Sequence, residues 1–124
     1  MVLPDGTNMH YLASPYSTRD PFLREFRYLH AAKTLAMLLE NKHWAYSPIV
    51  HCHELAKIYK LPYDAAFWEE YNHQMLSQCD SIIFLLLPDW QASKGMRKEA
   101  LWAKALNLPM YKIEGTKDVQ TLEN

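Results

Sequence analysis

The segment from Pro88 to Glu99, PDWQASKGMRKE, holds the residues whose types and spacing could do chemistry. A serine ahead of a helical stretch can cap it, and the amino end of a helix offers unpaired N–H groups and a partial positive charge. A phosphate or carboxylate can sit there, with the Ser93 hydroxyl as an added donor. Gly95 and Glu99 stand four residues apart and share a helix face, and helical side chains lean toward the amino terminus. Glu99 is therefore expected to point back over a residue without a side chain, leaving room for a small ring, such as a sugar, between the carboxylate and the helix end. Taken alone, the same residues also fit a plain cap, a packing glycine and a solvated carboxylate.

A second group lies between Tyr11 and Arg19, where Ser14, Tyr16, Ser17 and Thr18 offer hydroxyls and Arg19 a guanidinium. Such a cluster can hold a phosphate, Arg19 through paired hydrogen bonds. Its other reading is local, with Ser14 and Ser17 satisfying nearby backbone groups and Arg19 on the surface. A third group is SPIVHCH, Ser47 to His53. His51, Cys52 and His53, with His43, offer metal-ligand types, but a spacing of two does not match the i, i+4 pair of a helical zinc site. No carboxylate stands at a recognisable distance either, so neither metal nor cofactor is expected. Trp90 sits in the loop before Ser93 and is the aromatic expected to stack on a ring, whereas Trp68 at helical spacing, Trp44 and Trp102 read as packing.

The elements that must position these groups are legible in outline. His10 to Ala13 is a short apolar stretch ending in Ser14-Pro15-Tyr16-Ser17, a strand and its loop. Asp20-Pro21 is a helix start, and Phe22, Phe26, Leu29, Leu35 and Leu39 recur at roughly helical spacing up to about Glu40, where Asn41 can end the helix. Trp44 to Tyr46 gives a second strand before Ser47-Pro48. A short helix is expected over His51 to Tyr59, and another over Ala65 to Gln78 capped by Asp64. Ser81 to Leu87 is continuously apolar, as a central parallel strand covered on both faces would be. A helix from Lys94 to about Leu106 and a strand from Pro109 to Ile113 follow. The alternation predicts an α/β fold, a Rossmann-like or flavodoxin-like three-layer sandwich with a parallel sheet of four to five strands. Ligands in such sheets bind outside the carboxyl ends of the strands, where the first two groups fall.

With 124 residues, the chain reads as one domain, its core about 9–113 and 114–124 a tail. Lys and Arg total 13 against 14 Asp and Glu, so no global positive field exists to grip a nucleic-acid polymer. The longest apolar run, Ile82 to Leu87, is far below membrane-spanning length, and no secretory leader stands at the amino terminus, so a cytoplasmic protein without a membrane partner is expected. Cys52 and Cys79 form no disulfide framework and read as buried small hydrophobes.

Ser-x-Gly-x-x-x-Glu after an apolar strand, then Ala100, Ala103, Ala105 and Leu108-Pro109, resembles the nucleoside 2-deoxyribosyltransferases and the related deoxynucleoside 5′-monophosphate N-glycosidases. The loop Ala13-Ser14-Pro15-Tyr16-Ser17 looks like the start of the same superfamily, above all of its small bacterial and phage-type branch, and the likeness spans about residues 9–113. The resemblance implies a hydrolase or transferase of nucleotide metabolism acting on an N-glycosidic bond, with a nucleotide or nucleoside as its small-molecule partner. It makes Glu99 the nucleophile at the anomeric carbon, Tyr16 the group that orients it and Ser93 a contact to the 5′-group, which Ser17 and Arg19 can join from the hydroxyl-rich loop. His51 or His53 would meet the nucleobase. The aspartate that handles the leaving base in relatives falls on Asn72 here, an amide that can hydrogen-bond but cannot donate a proton as an acid. Glu69, Glu70 or His73 could substitute, or the pocket could bind a nucleotide without turnover. Relatives complete their pockets from a neighbouring subunit, which implies a homodimer or larger homo-oligomer with the tail from Gly115 to Asn124 available to reach across.

Overall fold

A computed structural model describes residues 8–114 and 120–121. Strand β1 (His10–Ala13) leads into helix α1 (Pro21–Glu40), strand β2 (Ala45–Tyr46), helices α2 (Pro48–Tyr59) and α3 (Ala65–Ser77), strand β3 (Ser81–Leu85), helix α4 (Lys94–Ala105), and strands β4 (Met110–Ile113) and β5 (Gln120–Thr121). The sheet order is β2-β1-β3-β4-β5, with the first four strands parallel and β5 antiparallel to β4. The fold is thus the expected Rossmann-like α/β sandwich around a four-stranded parallel sheet. The fifth strand departs from expectation, because Gln120 and Thr121, read as tail, pair with Lys112 and Tyr111. The rest of the tail, and with it the suggested reach to a partner subunit, lies outside the described residues.

Strand alternation divides the core. Leu12, Ile83, Leu85 and Ile113 face α1 and pack with Leu38, while Tyr11, Ala13, Ile82 and Phe84 face α3 and α4 and pack with Leu76, Met96 and Ala103. Both faces of β1 and β3 are therefore buried, which is why these strands read as unbroken apolar runs.

Three helices begin where polar caps stand. The Asp20 carboxylate accepts from the Phe22 amide at 2.9 Å, Asp64 from Phe67 at 2.9 Å, and Ser93 Oγ from Met96 at 3.2 Å. The start of α2 is a correction: Ser47 Oγ accepts from the Val50 amide and Pro48 occupies the first turn, so the helix opens three residues before the expected His51. The Ser-Pro pair is a helix start of the same kind as Asp20-Pro21.

The chain leaves β1 toward β2 and leaves β3 toward β4, in opposite directions across the sheet, so a crevice opens between the carboxyl ends of β1 and β3. Asp20→Ala, which removes the cap of α1, is expected to lower stability by about 1 kcal/mol in urea unfolding. A loss near zero would show that α1 is held by packing alone.

Candidate active site

A cavity of about 520 Å³ occupies this crevice. Its floor and one wall come from the loop after β1, with Ser14, Tyr16 and Ser17. The amino end of α4 supplies Ser93, Lys94, Gly95 and Glu99, and α2 and α3 close it with Ile49, Cys52, Trp68 and Asn72.

Glu99 is on the buried stripe of α4, spaced three residues from Met96 and four from Ala103, and is 7% exposed. A carboxylate on the core face of a helix needs a partner, and Tyr11 supplies it by donating its hydroxyl to Glu99 Oε2 at 2.5 Å. Tyr11 is fully buried on β1, on the sheet face that α4 covers. Burial raises the Glu99 carboxyl to about 7, against the lowering pull of the Tyr11 hydrogen bond. The Tyr11 phenol is itself pushed well above its ordinary value, by burial first and then by the neighbouring carboxylate. Assigning Tyr16 as the orienting tyrosine is therefore corrected: Tyr11 holds Glu99, and the Tyr16 hydroxyl instead meets His53 Nδ1 at 2.5 Å.

Gly95 behaves as its spacing suggests. A Cβ built on it would find only Ser93 Oγ, 4.0 Å away, so the space above it belongs to the cavity. Helix interiors disfavour glycine by roughly 0.5–1 kcal/mol relative to alanine, and no close packing neighbour accounts for its presence in the first turn of α4. Ahead of it, Asp89 adopts a left-handed backbone (φ 68°) at the cavity rim, in the loop that delivers the chain to Ser93 through one 3₁₀ turn over Trp90–Ala92.

Several buried polar atoms on the cavity wall lack a partner among the described residues. Ser14 Oγ, on a residue 6% exposed, is one, and Asn72 Oδ1 is another. Arg27 also lines the cavity; its Nη1 donates to the Tyr16 and Ser17 carbonyls at 3.4 and 3.2 Å, while Nε is unpaired. Since most buried polar groups are hydrogen-bonded, these atoms mark where a polar ligand would be held.

Three expected contacts fall elsewhere. Arg19 is exposed and outside the cavity wall, and the cation beneath the loop is Arg27, which α1 carries on its buried stripe with Ala31, Thr34 and Leu38. Trp90 is outside the wall as well; Trp68 and Trp102, read as packing, are the tryptophans that line it. His53 is 3% exposed with both ring nitrogens engaged, Nδ1 by Tyr16 and Nε2 by Glu25 Oε1 at 3.0 Å, so it meets no ligand directly. His51 points away to the Tyr71 hydroxyl at 3.0 Å, because residues two apart on a helix face nearly opposite directions. Glu69 reaches the cavity wall but pairs with Lys98 at 2.9 Å. Among the described residues no group of three His, Cys, Asp or Glu side chains converges as a metal site would require. The Cys52 and Cys79 thiols are free, and burial pushes them up to about 12 and about 11, so both behave as apolar side chains. No helix among the described residues is long and apolar enough to cross a membrane.

A parallel α/β sheet with a carboxyl-lined cavity at its switch point defines the class of domain. The chain belongs to the family DUF1937, described as a domain of unknown function, whose model matches residues 8–114. No curated protein matches the chain.

The raised carboxyl has a stability signature. Between pH 4.5 and about 7 the folded chain keeps a proton on Glu99 that the unfolded chain has released, so stability falls as pH rises across that window. The fall is on the order of 3 kcal/mol. Glu99→Gln removes it, and the variant should gain on the wild type when urea midpoints are compared at pH 5 and pH 8. An unchanged difference at the two pH values would contradict a buried, proton-holding Glu99.

Proposed function

We propose that the cavity is the active site of an N-glycosidase or 2-deoxyribosyltransferase acting on a nucleoside 5′-monophosphate or nucleoside, with Glu99 as nucleophile. The observation that carries this reading is the Glu99 carboxyl, anchored by Tyr11 and set on the cavity wall in the same helix turn as the open space over Gly95. At about 520 Å³ the cavity has room for a furanose ring beside that carboxyl. Attack by a carboxylate oxygen on C1′, as the base leaves, forms a glycosyl ester that water or a second base then resolves.

The remaining lining supports the same substrate. The first N–H groups of α4 have no intrahelical acceptors, and with Lys94, Ser17 and the Arg27 guanidinium they suit a 5′-phosphate. Trp68 and Trp102 offer apolar faces for a base, and Asn72 Oδ1 can accept from its edge. Ser14 Oγ is free for a sugar hydroxyl. Asn72 also favours a second reading, a nucleotide-binding module without turnover, since the position expected to protonate the leaving base carries an amide.

Incubation with a panel of purine and pyrimidine nucleoside 5′-monophosphates, and of the free nucleosides, is expected to release base that chromatography detects. Glu99→Ala should abolish release; base freed at the wild-type rate would remove Glu99 from the chemistry. Because the nucleophile must be ionised, kcat/KM should climb about tenfold per pH unit below about 7. Nucleotide binding without release by the wild type would favour the binding module.

Gly95→Ala separates pocket from fold. With no atom nearer than 4.0 Å to the added methyl, the melting temperature should hold or rise, while KM increases as the methyl enters the sugar space. Unchanged KM would place the sugar elsewhere.

A further inference from the structure

Resting on that reading, we infer that Tyr16, backed by His53 and Glu25, is the proton donor to the leaving base that Asn72 cannot be. Three side chains distant in sequence form one hydrogen-bonded line. Glu25 Oε1 is 3.0 Å from His53 Nε2, and His53 Nδ1 is 2.5 Å from the Tyr16 hydroxyl. Its inner end, Tyr16, lines the same cavity as Glu99, and its outer end, Glu25, is 42% exposed at the side chain and open to solvent. The line therefore joins bulk water to the reaction space through a histidine that is itself closed off.

The geometry has the polarity a donor needs. A carboxylate at Nε2 fixes a proton on that nitrogen, so Nδ1 is the atom that exchanges a proton with the Tyr16 oxygen. The Tyr28 ring stacks on His53 with centroids 4.1 Å apart and planes 17° from parallel, holding the imidazole in line. Burial raises the Tyr16 phenol well above its ordinary value, so it stays protonated between turnovers.

In the first half-reaction the C1′–N bond breaks and a Glu99 oxygen bonds C1′. The Tyr16 hydroxyl proton passes to the departing base nitrogen, and a proton from solvent, entering at Glu25 and carried through His53, returns to the Tyr16 oxygen. In the second, water attacks C1′ and the ester bond breaks to return the Glu99 carboxylate. The proton of that water returns to solvent through Tyr16, His53 and Glu25, so one proton enters and one leaves per turnover. Tyr16 would thus be a catalytic residue, and His53 and Glu25 positioning residues that act through it.

A proton donor is needed only when the leaving group needs a proton. Tyr16→Phe, which deletes one oxygen, is expected to lower kcat on the nucleoside monophosphate that the wild type cleaves best by roughly a hundredfold. On 4-nitrophenyl 2-deoxyriboside 5′-phosphate, whose leaving group departs as a stable anion, the loss should shrink to a few-fold. Glu25→Gln, at a solvent-open position, should show the same selectivity with a smaller loss. Equal losses of kcat on both substrates, or none, overturn the relay while leaving Glu99 as nucleophile. A wild type that cleaves neither substrate overturns the glycosidic reading and the relay together.

Discussion

A carboxyl buried where a helix crosses the sheet is the constraint on which the rest of the site depends. Glu99 lies among Met96 and Ala103 on the core face of α4, where an ionised group is tolerated only with a donor in contact. Tyr11 is that donor, and it can reach only because β1 is central and turns alternate residues toward α4. The order of the strands therefore matters to the chemistry as much as the identity of the two residues. The same burial that keeps the carboxyl half-protonated near neutral pH also leaves it poorly solvated when charged, and a weakly solvated carboxylate is the more reactive one. Fold stability and reactivity draw on this single contact in opposite senses.

Around the contact, the site divides its work among elements that share no sequence proximity. The end of α4 holds Glu99, the proposed nucleophile, and the anion-friendly amides. The loop after β1 supplies hydroxyls and is itself pinned from below by Arg27, whose guanidinium donates to the Tyr16 and Ser17 carbonyls. Arg24 donates to the Thr18 carbonyl at 3.0 Å, so α1 fixes this loop at three carbonyls. A loop so held presents Ser14 and Tyr16 at defined positions without needing a ligand to order it. Helices α2 and α3 then form the apolar lid side of the cavity.

Most of the architecture was legible because it rests on local rules. Asp20-Pro21, Asp64 and Ser93 announce helices through caps, and the unbroken run Ser81 to Leu85 announces a doubly covered strand. Glu99 and Gly95 were legible for the same reason, since their relation is a spacing within one helix. What escaped were relations between elements. Tyr11 reads as part of the first strand, yet its partner lies 88 residues away on another element, and residue type does not reveal such pairs. Arg19 stands out in the sequence by its place beside the hydroxyls, whereas Arg27, with Ala31, Thr34 and Leu38, forms a helical stripe on which a cation faces inward. Trp68 and Trp102 were assigned to packing because helical spacing cannot say whether the buried face meets a core or a cavity.

The two edges of the sheet bear on how copies of this chain can meet. An exposed parallel edge offers unpaired N–H and C=O groups to any passing strand, a common route to aggregation and to sheet-extended dimers. Here β2 ends the sheet on one side with only two residues, and on the other side β4 is paired by the two-residue antiparallel β5. Among the described residues neither border is long enough to template another strand well. Contacts between copies of the described domain therefore have little sheet edge to use, whereas α1 exposes Phe22, Phe26 and Leu29.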